Sequence, residues 1–398
     1  MHPDTLSATT HSQEKEQAAE SRFSPSLIRA VANTAMGRQD VLPFWFGESD
    51  QSTPPFIREA AVASLRHGET FYSENLGRPY LREAISTYLT NLHHLPIGGD
   101  RIAVTGSGVS ALMLASQVLV SPGDRVVIVT PLWPNAVEIP KVMSGRVTCV
   151  SLEVQHGRWT LPLEKLLHAL TPGTRMLVLN SPNNPTGWTI AGAEQAAILE
   201  HCRRHGIWII ADDVYERLVY ADGMKTAPSF LTLAEPAERL IVINSFSKAW
   251  TMTGWRLGWM VVPPAVQTDL GSLIEYNTSC VPEFVQRAGV IALEQGEPYV
   301  AQLRSQLANT RANLFAALSA LPQLQIPEAD GAMYLFLRVS GEEDSVRLAK
   351  RLIEEVGLGL APGRAFGPEG EGWLRWCYAA DSEKIESGIE RLARFLSK

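Results

Sequence analysis

The stretch "SFSKAWTMTGWRLGW", residues 245–259, sets one lysine just after two serines and puts an arginine eight residues beyond it. It directly follows the apolar run "RLIVINS" (239–245). Lys248 has Phe246, Ala249 and Trp250 as neighbours. Apolar surroundings disfavour the charged form of an amine, lower its pKa and make a neutral nucleophile available, as Schiff-base chemistry requires. Ser245, Ser247 and Arg256 add two hydroxyls and a guanidinium fork, a set suited to a phosphate dianion. The stretch reads as an amine and an anion site at the end of a buried strand.

Four further runs share the texture of 239–245: "RIAVT" (101–105), "DRVVIVT" (124–130), "RMLVLN" (175–180) and "IWIIADD" (207–213). Each is short, rich in Val and Ile, and closes in small or polar residues. Strands buried on both faces of a parallel sheet read this way. Helical segments such as 111–120 and 193–205 lie between them, and the alternation predicts a doubly wound α/β domain. Ligands bind such sheets at the carboxyl ends of the strands. Polar groups gather at those ends: Gly106-Ser107-Gly108, "NSPNNPTG" (180–187), Asp212, and Ser245 with Lys248.

After about residue 285 the texture changes to long helical patterns (285–321 and 344–357) with strand-like pieces at 332–339 and 373–379. A smaller α+β domain is predicted there, joined by N-terminal residues. The expected division is a mobile arm over 1–22, an N-terminal segment over 23–45 joining the small domain, a large domain over 46–285 and a small domain over 286–398.

The chain has 398 residues, 45% hydrophobic and 19% charged, enough for a large core. Its 35 basic and 42 acidic residues leave a net charge of −7, which offers no basic field for nucleic acid or an anionic membrane. Cys149, Cys202, Cys280 and Cys377 are far apart and form no C-x-x-C pair. Neither a disulfide framework nor a zinc site is expected, and a reducing cytoplasm is. No apolar run approaches the ~20 residues a bilayer requires, and the polar first residues lack a signal core. "HCRRH" (201–205) lacks the glutamate of H-E-x-x-H and reads as a surface helix face, and His93-His94 reads as a loop. No metal is expected.

Ser107-Gly108-Val109 stands between a strand and a helix, where glycine lets backbone N–H groups approach an anion. "TGSG" (105–108) is not a P-loop, so a single small phosphate is the better reading. Asp212, an acid at a buried strand end, needs a partner. With an amine and a phosphate site in the same crevice, the protonated ring nitrogen of pyridoxal phosphate is such a partner, Lys248 carrying the aldehyde.

Four segments, "FYSENLGRPYLREAI" (71–85), "NSPNNPTG" (180–187), "ADDVYERL" (211–218) and "SFSKAWTMTGWRLGW" (245–259), with "WLRWCYA" (373–379) as a fifth, stand in a characteristic order. Asn184 to Asp212 is 28 residues, Asp212 to Tyr215 is 3, Tyr215 to Lys248 is 33 and Lys248 to Arg256 is 8. Over roughly residues 40–395 the chain resembles the class I/II aminotransferases of the aspartate aminotransferase superfamily, fold type I of the pyridoxal-phosphate enzymes. The resemblance implies a large domain with a mostly parallel seven-stranded sheet between helices, plus a smaller α+β domain. It implies pyridoxal 5′-phosphate as cofactor, and transfer of an amino group from an L-amino acid to a 2-oxo acid by a ping-pong mechanism (EC 2.6.1.-). It also implies a homodimer with shared active sites.

Residue by residue, it implies that Lys248 forms the Schiff base and shuttles the substrate proton. Asp212 keeps the pyridine nitrogen protonated, while Tyr215 and Asn184 bond the ring 3′-oxygen. Ser107, Gly108, Val109, Ser245, Ser247 and Arg256 bind the phosphate, and Trp133 stacks on the ring. Arg375 clamps the substrate α-carboxylate, with a backbone N–H of Gly47 beside it. Tyr72 reaches the phosphate of the neighbouring subunit. Three features depart from the pattern: Val109 replaces a polar residue, Glu74-Asn75 replaces small residues or proline, and no second arginine is assignable to a distal carboxylate. Lyase chemistry, such as β-elimination from cysteine conjugates, starts from the same cofactor and is the alternative. A non-catalytic sensing module is remote, because only about 40 residues precede the match, with no helix-turn-helix pattern.

Overall fold

The computed structural model describes residues 25–398, so the arm expected over 1–22 lies outside the described residues. Seven strands build the central sheet: Ile102–Thr105 (β1), Arg125–Thr130 (β2), Arg146–Ser151 (β3), Thr174–Asn180 (β4), Trp208–Asp212 (β5), Leu240–Ser245 (β6) and Gly258–Val261 (β7). Their order is β1-β7-β6-β5-β4-β2-β3. Six strands point one way, and β7 runs antiparallel to both β1 and β6.

The apolar runs alternate between two cores, as period-two side chains must. Val127, Leu177 and Ile209 enter the larger core, and Val126, Met176 and Ile210 enter the core beneath the helices Gly108–Leu119 and Gln267–Asn277. Each fully buried side chain of this kind contributes roughly 1.5–3 kcal/mol. Two strands were not foreseen. Edge strand β3 is only partly buried, so it shows no continuous apolar run. Strand β7 begins within the "WRLGW" motif, with Gly258 in register with both Ser245 and Thr105. A β-carbon on Gly258 would lie 2.8 Å from Asn244 O and 2.8 Å from the Ser107 carbonyl carbon. Only glycine lets β7 pass so close to the start of the Gly108–Leu119 helix.

A second, antiparallel sheet comprises Leu324–Gln325 (β8), Tyr334–Val339 (β9), Ala361–Pro362 (β10) and Trp373–Cys377 (β11), in the order β8-β9-β11-β10. The N-terminal helix Leu27–Asn33 packs on β10 and on the helix Ser345–Val356, and Leu42–Pro43 pairs with Leu358–Gly359. The single helical pattern over 285–321 is two helices, Glu283–Gln295 and Glu297–Ser319. Pro298 lacks the N–H an uninterrupted helix needs and occupies the first turn of the second one. The boundary expected at 285/286 falls inside the first, which packs on the helices Pro55–Arg66 and Pro79–His93.

His93 is not in a loop. It closes the helix Pro79–His93, whose cap His94 turns into the left-handed region at φ 57°. The His93 imidazole is buried with its Nε2 3.2 Å from a Glu216 carboxylate oxygen. Among the described residues no helix is long and apolar enough to cross a membrane.

Candidate active site

The carboxyl ends of β4, β5 and β6 and the face of β9 and β11 open onto a cavity of about 700 Å³. Lys248, in the turn that follows β6 and three residues past its end, is half-buried and lines this cavity. Its Nζ donates to Gly47 O at 2.6 Å and lies 5.5 Å from the centre of the Tyr215 ring. Burial pulls this ammonium down to about 8, and the charges of Arg375 and Arg256 act in the same direction.

Asp212 closes β5 and is 9% exposed. Its carboxylate accepts only a long bond, 3.5 Å, from the Val214 N–H. Among the described residues no cationic side chain comes within salt-bridge distance of it. Burial pushes the carboxyl up to about 7, against the pull of the Val214 N–H and of Lys248. An acid so placed lacks a counter-ion.

Arg375, in the middle of β11, is 2% exposed. It donates to Asn184 Oδ1 at 2.9 Å and to Trp45 O, while its Nε has no partner among the described residues. Its guanidinium lies 4.6 Å from the centre of the Tyr334 ring and 4.9 Å from that of Phe366. Two aromatic faces hold it flat, and among the described residues no carboxylate neutralises it. A buried fork in this state is a receptor for a planar anion.

At the other end of the cavity the reversal between β6 and β7 returns Arg256 to the Ser245 end of the sheet. Arg256 sits in the left-handed region at φ 53°, with a 2.6 Å bond from its guanidinium to Thr253 O. The Ser245 and Ser247 hydroxyls are 2.9 Å apart. Ser107 caps the Gly108–Leu119 helix by accepting from the Ser110 N–H at 3.0 Å. Asn184 is held by its N–H bond to Asn180 Oδ1 at 2.8 Å, and its carbonyl accepts from the Trp133 N–H at 3.0 Å.

The family model described as "Aminotransferase class I and II" matches residues 39–392. The chain belongs to this aminotransferase family. Similar proteins include an aspartate aminotransferase of Pyrococcus horikoshii, 33% identical over 93% of this chain and 94% of the relative. An arginine–pyruvate transaminase of Pseudomonas aeruginosa is 31% identical over 92% of each chain. Among solved structures, a Thermus thermophilus aspartate aminotransferase superposes with a TM-score of 0.87 at 31% identity, covering 94% of this chain and 97% of that one.

Pyridoxal 5′-phosphate is the cofactor of this family. The residues of this aminotransferase fit it. The buried Asp212 carboxylate lacks a cation, the enclosed Lys248 amine is poised for an aldehyde, and hydroxyls and a guanidinium meet at the start of a helix. Of the residues expected at the site, all but Ser107 and Tyr72 line the cavity. Ser107 is buried behind it, and Tyr72 lies outside it, 85% exposed. Charged or aromatic groups of the aminotransferase site that sequence reasoning missed include Tyr334, Phe366, Trp45, Phe46, Arg29 and Glu48. Tyr334 and Phe366 read as core, and Arg29 lies on a helix whose docking depends on distant partners. The rings of the histidines of "HCRRH" lie 4.6 Å apart, tilted at 58°, on the helix Gly192–His205, with His201 bonded to Leu170 O.

The low Lys248 pKa predicts selective reactivity. In the cofactor-free aminotransferase the neutral fraction of Lys248 rises as pH passes about 8. Labelling by an amine-specific reagent, read by peptide mapping across pH, is expected to show this lysine titrating near 8 while exposed lysines titrate near ~10.4. A Lys248 profile that follows the exposed ones removes the burial argument.

Proposed function

We propose that this protein moves an amino group from an L-amino acid to a 2-oxo acid in two half-reactions at one site, releasing the first oxo acid before the second binds. When bound, pyridoxal 5′-phosphate supplies the aldehyde that condenses with amines and a protonated ring that withdraws electrons from the substrate Cα. Asp212 holds the proton on the ring nitrogen. Ser107, Gly108, Val109, Ser245, Ser247 and Arg256 hold the phosphate, Val109 through its backbone only. Tyr215 and Asn184 hold the ring oxygen, and Trp133 covers the ring face. Arg375, with Gly47 beside it, fixes the α-carboxylate and so aims the Cα proton at Lys248. Lys248 Nζ would take that proton and hold it for return.

The observation that carries this reading is the pairing in one cavity of a Lys248 amine whose pKa burial lowers with a buried Arg375 fork whose Nε has no partner among the described residues. The relatives' donors include aspartate and arginine, so the groups common to all donors are what Lys248 and Arg375 read. The test is an absorbance scan of the holoenzyme with single amino acids and no oxo acid. Loss of the visible band with release of one equivalent of oxo acid supports transfer. A band that persists while ammonia accumulates supports a lyase instead. Arg375→Gln is expected to raise KM for the amino acid by about 100-fold, the order of a lost buried charge contact. Its cofactor absorbance stays unchanged.

The same proposal includes a homodimer. Phe71, Tyr72 and Tyr276 are 79%, 85% and 81% exposed, large aromatic side chains of the kind that protomer interfaces cover. Near them a cavity of about 890 Å³ runs behind Arg256, between Trp255, Cys280 and Phe284. These features support a protomer interface in which each Tyr72 reaches the phosphate site opposite. Sedimentation is expected to give a dimer, and Tyr72→Ala to weaken cofactor binding about tenfold, one lost hydrogen bond to a charged group. A stable, fully active monomer removes the shared-site reading. The free cysteines suit a reducing compartment such as the cytoplasm.

A further inference from the structure

We infer that Tyr334 is a positioning residue: its hydroxyl donates to Tyr215 and so aims the Tyr215 hydrogen at the cofactor's ring oxygen. The inference rests on the role of Tyr215 proposed above. Tyr334 begins β9, in register with Cys377 on β11, two residues beyond Arg375. It is fully buried, and its hydroxyl oxygen lies 2.7 Å from that of Tyr215. The rings meet edge to face, 5.6 Å apart at 79°.

Two hydroxyls at this distance share one hydrogen, and either can supply it. The surroundings decide. Among the described residues, Tyr215 is the single hydrogen-bond partner of the Tyr334 hydroxyl. That hydroxyl is also pressed against Gly47, where a β-carbon would collide with it. A hydrogen that Tyr334 kept for itself would have no acceptor among the described residues. A hydrogen on Tyr215 has one, the ring oxygen of the bound cofactor. Donation from Tyr334 is therefore the arrangement that satisfies both groups. A phenol that accepts one hydrogen bond also donates a stronger one, so Tyr334 increases the hold of Tyr215 on the oxygen. The Tyr334 ring meanwhile lies 4.6 Å below the Arg375 guanidinium. One side chain of the smaller sheet thus supports both the carboxylate clamp and the tyrosine on the opposite wall.

Tyr334→Phe removes the hydroxyl and keeps the ring under Arg375. The readout is the pH titration of the holoenzyme's visible absorption band. A hydrogen bond to the ring oxygen favours its anionic form and lowers the pH at which the linked proton leaves. Tyr334→Phe is therefore expected to move the titration upward by about half a pH unit. KM for the amino donor should change less than about twofold, because the ring stays in place. Tyr215→Phe should shift the titration further, and adding Tyr334→Phe to it should do nothing more. No movement in Tyr334→Phe overturns the assignment, as does an equal movement with and without the Tyr215 hydroxyl. A wild-type protein that shows no visible band with pyridoxal phosphate overturns the Lys248 reading itself, and is told apart by failing before any variant is made.

Discussion

Lys248→Ala is expected to lower kcat by at least about 10⁴-fold, the upper range for a positioned general acid–base group. The amine is within reach of Gly47 O and of the Tyr215 ring and shares the cavity with Arg375. Among the described residues no other lysine lines that cavity to take over its proton. Stability should not fall with activity. Burial already disfavours the Lys248 ammonium, and removing it relieves that cost. Single-turnover kinetics with an amino acid alone, beside a thermal melt, checks both halves. A variant that retains a tenth of the wild-type rate shows that another group carries the proton.

Asp212→Asn is expected to lower kcat by about 100- to 1,000-fold, the range for removing one partner of a buried charge pair. The amide keeps the shape of the side chain and loses the charge that holds a proton on the ring nitrogen. Stability of the cofactor-free protein should move the other way. The folded-state pKa of Asp212, about 7, stands above its ordinary 3.8. A raised pKa contributes stability that is present below 3.8 and lost as pH rises through about 7. At pH 8 the cofactor-free wild type therefore buries an unpaired carboxylate. Asp212→Asn should match or exceed its unfolding free energy there, and should flatten its decline between pH 4 and pH 7. Equal activity of the two proteins at saturating cofactor would show that no charge at Asp212 is needed.

The strands were legible because burial on both faces writes a local pattern. Runs such as 175–180 and 239–245 are continuous, and both became fully or nearly fully buried strands. Edge strand β3 was not legible, because a partly exposed strand has no such run. His93 was misread because a helix cap in the left-handed region looks, in sequence, like any polar loop. At the site, Asp212 and Ser245 were legible because each ends a strand and Lys248 because it lies in the turn just after one, and strand ends of a parallel sheet share one edge. Tyr334 could not be, since "AMYLFLRV" reads as a core strand throughout and the hydroxyl of its tyrosine carries no local signal.

Residue order alone thus determined the class of fold, the family resemblance and which polar residues stand at the strand ends, because periodicity and motif spacing are properties of neighbouring residues. Only the tertiary structure decided how the two sheets share a site. Arg375 meets Asn184 across 191 residues of chain, and Tyr334 meets Tyr215 across 119. Both contacts follow from the packing of β9 and β11 against the ends of β4 and β5, a long-range register that no local pattern encodes. The return of Arg256 to Ser245 likewise depends on β7 running antiparallel, which a glycine at 258 makes sterically possible.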